Sequence, residues 1–166
     1  LLGMAAHIEG KGVTVLDFTG VAQKNGAVLS HIRIARRPED LHAVRIAAGA
    51  ADLLLGADMV AAASPDSLRK LSQGGTQAIV NSHLTPTAEF TLRPDTEFDG
   101  AALQGLIREG AGDNRTEFID ATGLATALMG DAIAANLFLL GHAYQRGALP
   151  VGREAVERAI ELNGVA

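Results

Sequence analysis

The stretch Thr19 to Ala27 (TGVAQKNGA) follows a β-branched run and combines glycine amides with Gln23, Lys24, Asn25 and Gly26. Backbone N–H donors beside one ammonium group suit a phosphate or carboxylate. The same residues also serve as a polar crossover closing on an Asn-Gly turn. Arg33, Arg36 and Arg37 form a basic cluster just before Pro38, suited to an anionic group or partner surface, although such a cluster is more often solvated. Asn81-Ser82-His83 closes an apolar run. His83 there is a candidate acid, base or anion donor, or simply a hydrogen-bonded loop histidine; spacing identifies no carboxylate partner for it. Asp17, near the end of its own run, can bind a ribose hydroxyl pair or cap a loop amide.

Other chemistries lack their residues. The sequence contains no Cys, which removes disulfides, thiolate nucleophiles and cysteine-held iron–sulfur clusters from this chain. The five histidines show no H-E-x-x-H or related spacing, so no metal site is expected. No serine sits in a G-x-S-x-G elbow, and neither G-x-G-x-x-G nor G-x-x-x-x-G-K occurs. No complete catalytic constellation is present.

The elements that must carry these residues alternate in type. Leu1 to Glu9 reads as a short helix closed by Gly10-Lys11-Gly12, and Val13 to Phe18 as a strand. Val28 to Ala35 alternates as a strand does. Asp52 to Gly56 reads as a short buried strand and Met59 to Ala63 as a helix. Ser64-Pro65 starts a further helix expected to reach about Leu71. A strand follows over Ala78 to Ser82, then a loop over His83 to Phe98, a helix over Ala101 to Glu109 and a strand over Glu117 to Ala121. In Ala132 to Arg146, Ile133, Leu137, Leu140 and Tyr144 recur at helical spacing and predict one apolar face. Arg153 to Leu162 makes a last helix with Val156, Ala159 and Ile160 inward.

Strands separated by helices predict an α/β fold with an open, mostly parallel sheet. Ligands of such sheets sit beyond the carboxyl ends of the strands, so the loops after Phe18, Gly56, Ser82 and Ala121 are expected on one rim. The chain has 166 residues, one domain's worth, with 48% hydrophobic residues but only 4% aromatics, so its core is aliphatic and alanine-rich. The formal charge of −5 argues against nucleic acid as a partner. No apolar run is long enough to span a membrane, and no charged n-region with an h-region opens the chain; a cytoplasmic location is expected.

The run from Gly3 to Ala35 (GMAAHIEGKGVTVLDFTGVAQKNGAVLSHIRIA) resembles the gamma-type domain of 2-oxoacid:ferredoxin oxidoreductases, the pyruvate/ketoisovalerate oxidoreductase family. It is most similar to the fused indolepyruvate ferredoxin oxidoreductase branch. Asp52 to Leu71, Val80 to Phe90 and Ala125 to Pro150 extend the resemblance over nearly the whole chain.

This resemblance implies a Rossmann-like fold and a place beside thiamine-binding domains, shaping the active-site and coenzyme A side. The full enzymes of the family decarboxylate a 2-oxo acid, here indolepyruvate or a related arylpyruvate, with thiamine diphosphate and Mg. They pass electrons through iron–sulfur clusters to ferredoxin and release an acyl-coenzyme A. The cofactors are expected in other domains of the parent enzyme, none in this chain, and the isolated chain is expected to be inactive. An autonomous coenzyme A or nucleotide module and a purely structural interface domain are the alternatives. The family's basic residue and Gly-Gly pair fall on Lys24, Asn25 and Gly26, where Asn25 departs from Gly. The resemblance further implies a fragment of a longer chain, lacking the family's first strand and glycine-rich loop. Repair of the sheet by a second copy, or its rearrangement, is then expected.

Overall fold

The computed structural model describes residues 1–19, 28–84 and 99–164. Helix α1 (Leu2–Ile8) leads into strands β1 (Gly12–Thr19) and β2 (Val28–Ala35). Strand β3 (Leu53–Gly56) is followed by the single-turn helices α2 (Met59–Ala62) and α3 (Pro65–Leu68) and by strand β4 (Gln77–Asn81). Helix α4 (Gly100–Ala111), strand β5 (Thr116–Ile119), and helices α5 (Ala121–Met129), α6 (Ala135–Gln145) and α7 (Arg153–Asn163) complete the described chain.

The expected α/β fold is present, with its strands in two sheets. Strands β3, β4 and β5 form a parallel sheet in that order. Strands β1 and β2 pair only with each other, antiparallel, from Gly12 opposite Ala35 to Thr19 opposite Val28. Among the described residues, the carboxyl end of β1 therefore does not belong to the sheet formed by β3, β4 and β5. The physical reason is connection length: residues 20–27 are too few for a parallel crossover, which needs a dozen or more, but enough for a hairpin.

The parallel sheet is covered on both faces, as parallel sheets require. Alternation along the strands decides the sides. Ala78 and Val80 of β4 pack with Met59, Ala62, Leu71, Ile107 and Ala111 from the α2–α4 side. Ile79 points the other way, onto Ala121, Leu139 and Ala143. A second cluster joins α1 and α7, through Ala5, Ala6, Ala155 and Ala159, to Val13 and Ile34 of the hairpin. Alanine dominates every layer, so helices lie close to their neighbours. At Gly56 the approach is closest: an added Cβ would stand 2.9 Å from Ala62 Cβ and 3.1 Å from Val80.

Other expectations shift in detail. Helix α3 ends at Leu68 instead of near Leu71. Beyond it the amides of Lys70 and Leu71 make tighter bonds to Ser67 and Leu68 carbonyls, while Gly49 and Ala51 amides take the carbonyls of Arg69 and Lys70. The helix expected from Ala132 begins as a 3₁₀ turn, Ala132–Ala134, and becomes α-helical only at Ala135. That turn changes the phase. The buried residues are Ala135, Leu139, Leu140 and Ala143, and Ile133 is 84% exposed. In α7, Ala159 is buried as expected, together with Ala155.

Candidate functional site

The carboxyl ends of β3, β4 and β5 meet at Asn81. Its side chain is 6% exposed and fully used. Nδ2 donates to Ala57 O, just beyond β3, at 3.2 Å and to Thr122 Oγ1, in α5, at 2.9 Å. Oδ1 accepts from the amides of Ala121 at 3.1 Å and His83 at 3.3 Å. One buried amide thus ties together the ends of all three strands and the start of α5, satisfying each polar atom it desolvates. The Ser82 amide donates to Ile119 O and carries the β4–β5 ladder one residue further.

Around this node the rim is polar. Asp120 caps α5 by accepting from the Gly123 amide at 2.7 Å, and an added Cβ at Gly123 would strike that carboxylate. Asp58 caps α2 from the end of β3, accepting from Ala61 at 2.7 Å. His83 Nδ1 stands 3.7 Å from Asp120 Oδ1, with side chains 44% and 56% exposed. The pair stands partly exposed at the mouth of the sheet. Sequence spacing shows no carboxylate for His83 because its partner follows a different strand. The readable signal is that both residues succeed adjacent parallel strands, and such positions share a rim.

The basic cluster does not stay together. Arg37 is taken up locally, its Nη2 3.1 Å from Asp40 and its Nε 3.6 Å from Glu39. Arg36 is exposed beyond β2. Arg33 turns instead to the carbonyl of Arg45, at 3.2 Å. Thr19 ends β1; Gln23, Lys24, Asn25 and Gly26 lie outside the described residues. Asp17 accepts from Ser30 Oγ across the hairpin at 2.6 Å and is remote from the rim.

Comparison with known proteins now decides the family. A family model described as pyruvate ferredoxin/flavodoxin oxidoreductase matches residues 1–164. The chain belongs to the pyruvate ferredoxin/flavodoxin oxidoreductase family. Within this family, the indolepyruvate oxidoreductase subunits IorB of Thermococcus kodakarensis and Pyrococcus horikoshii are each 26% identical to it over 163 residues. The alignments cover 98% of this chain and 77% of each relative. Among solved structures, pyruvate oxidoreductase subunit PORC from Thermotoga maritima matches with a TM-score of 0.56 and 24% identity, over 96% of this chain and 72% of that one. That likeness supports the fold.

The residues of this family member limit which groups it can hold. Without cysteine it cannot ligate an iron–sulfur cluster through thiolates. The sequence Gly130-Asp131 is helix punctuation: Gly130 ends α5 at φ 78°, and Asp131 accepts from the Ile133 amide at 2.9 Å. Among the described residues no group of three His, Cys, Asp or Glu gathers for a metal, and no helix is long and apolar enough to cross a membrane.

Proposed function

We propose that this chain is the gamma-type component of an indolepyruvate-type 2-oxoacid:ferredoxin oxidoreductase, catalytically incomplete by itself. The observation that carries the reading is the family match over residues 1–164 in a chain with no cysteine. A redox enzyme of this kind must then keep its clusters, and with them thiamine diphosphate and Mg, in other components of a longer or multi-part enzyme. The IorB relatives support an arylpyruvate such as indolepyruvate as substrate, oxidatively decarboxylated to an acyl-coenzyme A with ferredoxin as acceptor. The expected setting is cytoplasmic, in an assembly containing more than one copy of this chain.

In this reading the rim built on Asn81 faces the thiamine-bearing neighbour and shapes the substrate and coenzyme A side. His83 is its donor toward anionic groups. The test is an assay of the purified chain with arylpyruvate, thiamine diphosphate, Mg, coenzyme A and an artificial electron acceptor. No turnover is expected until the remaining components of the parent enzyme are supplied. Turnover by this chain alone overturns the proposal.

A further inference from the structure

The face of the β1–β2 hairpin turned away from α1 carries an imbalance of donors. Register places Thr14, Leu16 and Phe18 of β1 on one face with Leu29, His31 and Arg33 of β2. His31 is 3% exposed. Its Nδ1 accepts from the Ile46 amide at 3.0 Å, so in the neutral ring the proton sits on Nε2. Among the described residues that Nε2 is buried without a partner, and so is Thr14 Oγ1 on the same face. An orphaned buried donor is rare and calls for a missing acceptor.

The neighbours of His31 are donors as well. Arg45 lies 4.6 Å over the Phe18 ring, which meets the imidazole edge-on at 5.0 Å. Arg33 reaches across to the Arg45 carbonyl at 3.2 Å. Lys70 is tied to the segment that follows Ile46, its carbonyl accepting from the Ala51 amide, and burial, then Lys70 and Arg45, disfavour the protonated form of His31. None of Arg33, Arg45 and Lys70 forms an ion pair with a described carboxylate, although Lys11, Arg37, Arg69 and Arg146 all do. In a chain of net charge −5, cations gathered around an orphaned N–H lack an anionic acceptor. A phosphate oxyanion, with several acceptor oxygens and more than one negative charge, is the chemistry that matches them.

We propose that the hairpin face carrying His31 and Arg33, with Arg45 and Lys70 beside it, is a phosphate-binding site. The anion accepts from Arg45, Lys70 and Arg33 at the surface, and His31, buried beside Arg45 and Phe18, responds to its charge. Filling the site supplies the missing counter-charge and fastens the Arg45–Ile46 segment to the hairpin. It holds independently of the substrate of the parent enzyme.

The experiment follows the His31 ring nitrogens by NMR in the full 166-residue chain, titrated with inorganic phosphate, pyrophosphate or ADP at constant ionic strength. A saturable shift is expected, with the His31 titration midpoint moved up by about one pH unit. Equal responses to all three point to an isolated phosphate, and a tighter ADP response to a nucleotide phosphate; both support the site. Lys70→Gln and Arg45→Gln are each expected to weaken binding about tenfold while the fold is retained by circular dichroism. Arg158→Gln, on the far helix, is expected to leave binding unchanged. An adventitious, screening-only effect shows itself if chloride reproduces the shift. That result overturns the site, as does the absence of a saturable response or indifference to both variants.

Discussion

At the scale of single residues, Asn81 concentrates the most consequence. Three of its four hydrogen bonds reach segments more than twenty residues away in sequence, and its side chain is nearly inaccessible. Asn81→Ala leaves the Ala121 amide and the Ala57 carbonyl without that partner, so a loss of about 2–4 kcal/mol is expected by chemical denaturation. Asn81→Asp keeps an acceptor for Ala121 but sets a carboxylate against the Ala57 carbonyl. It should fare no better than alanine; native-like stability in Asn81→Asp would show that the Nδ2 bonds matter little. His31 makes a prediction in pH. Desolvation, then Lys70 and Arg45, lower its pKa from the ordinary 6.5. A lowered folded value means that its contribution is complete above the unfolded value and is lost as pH falls through the folded one. In phosphate-free buffer, stability is therefore expected to drop on acidification below about pH 6.5. His31→Gln should flatten that part of the profile.

At the scale of elements, the sequence is most readable where local signals and burial agree. Ser64-Pro65 opens α3, the Ser64 hydroxyl accepting from Ser67 as a cap should, and Val13–Phe18 and Val28–Ala35 lie within β1 and β2. Two features resist such reading, each for a physical reason. Strand type does not encode strand partner, so β1 and β2 look like members of the main sheet until the short connection between them is weighed. The phase of α6 depends on a 3₁₀ turn that helical periodicity does not anticipate, and Ile133 consequently faces solvent while Leu139 is buried. The site shows the same division. His83 is legible as the end of a strand, but Asp120 reaches it, and Thr122 reaches Asn81, only through tertiary placement. Packing between elements gives its own test. Gly56 admits α2 against β3 and β4 with no room for a side chain. Gly56→Val should cost about 2–3 kcal/mol through forced separation of α2 from the sheet. Gly105→Ala, in α4 with nothing within 4 Å of its added Cβ, should stabilise the chain by about 0.5–1 kcal/mol. Equal effects from the two substitutions would deny the close approach at Gly56.

Across the whole molecule, the two ends of the chain are held to one another at a single clamp. Glu9, just after α1, accepts from the Gly152 amide at 2.6 Å and meets Lys11 at 2.6 Å, while Lys11 also donates to the Pro150 carbonyl at 2.6 Å. Gly152 is the N-cap residue of α7, so a side chain from the first helix finishes the last. The clamp stands beside the alanine layer of α1 and α7, which rests on Val13 and Ile34 of the hairpin. Docking of α1, α7 and the hairpin is therefore expected to be cooperative, with the clamp setting its register. The Lys11 hydrogen bond, followed by the Gly152 amide, holds the Glu9 carboxyl below its ordinary 4.5. The corresponding stabilisation is present above that value and is lost as pH falls through the lowered one. Both partners are partly solvated, which keeps the ionic share small. Glu9→Gln retains an acceptor for Gly152 and should cost about 0.5 kcal/mol, whereas Glu9→Ala removes it and should cost about 1–2 kcal/mol. Hydrogen exchange distinguishes a clamp from a local cap. In Glu9→Ala, amides of α1, α7 and β2 should lose protection together, while β4, centred in the parallel sheet, keeps its own. Loss confined to the first turn of α7 would reduce Glu9 to a capping residue and leave the two ends of the chain uncoupled.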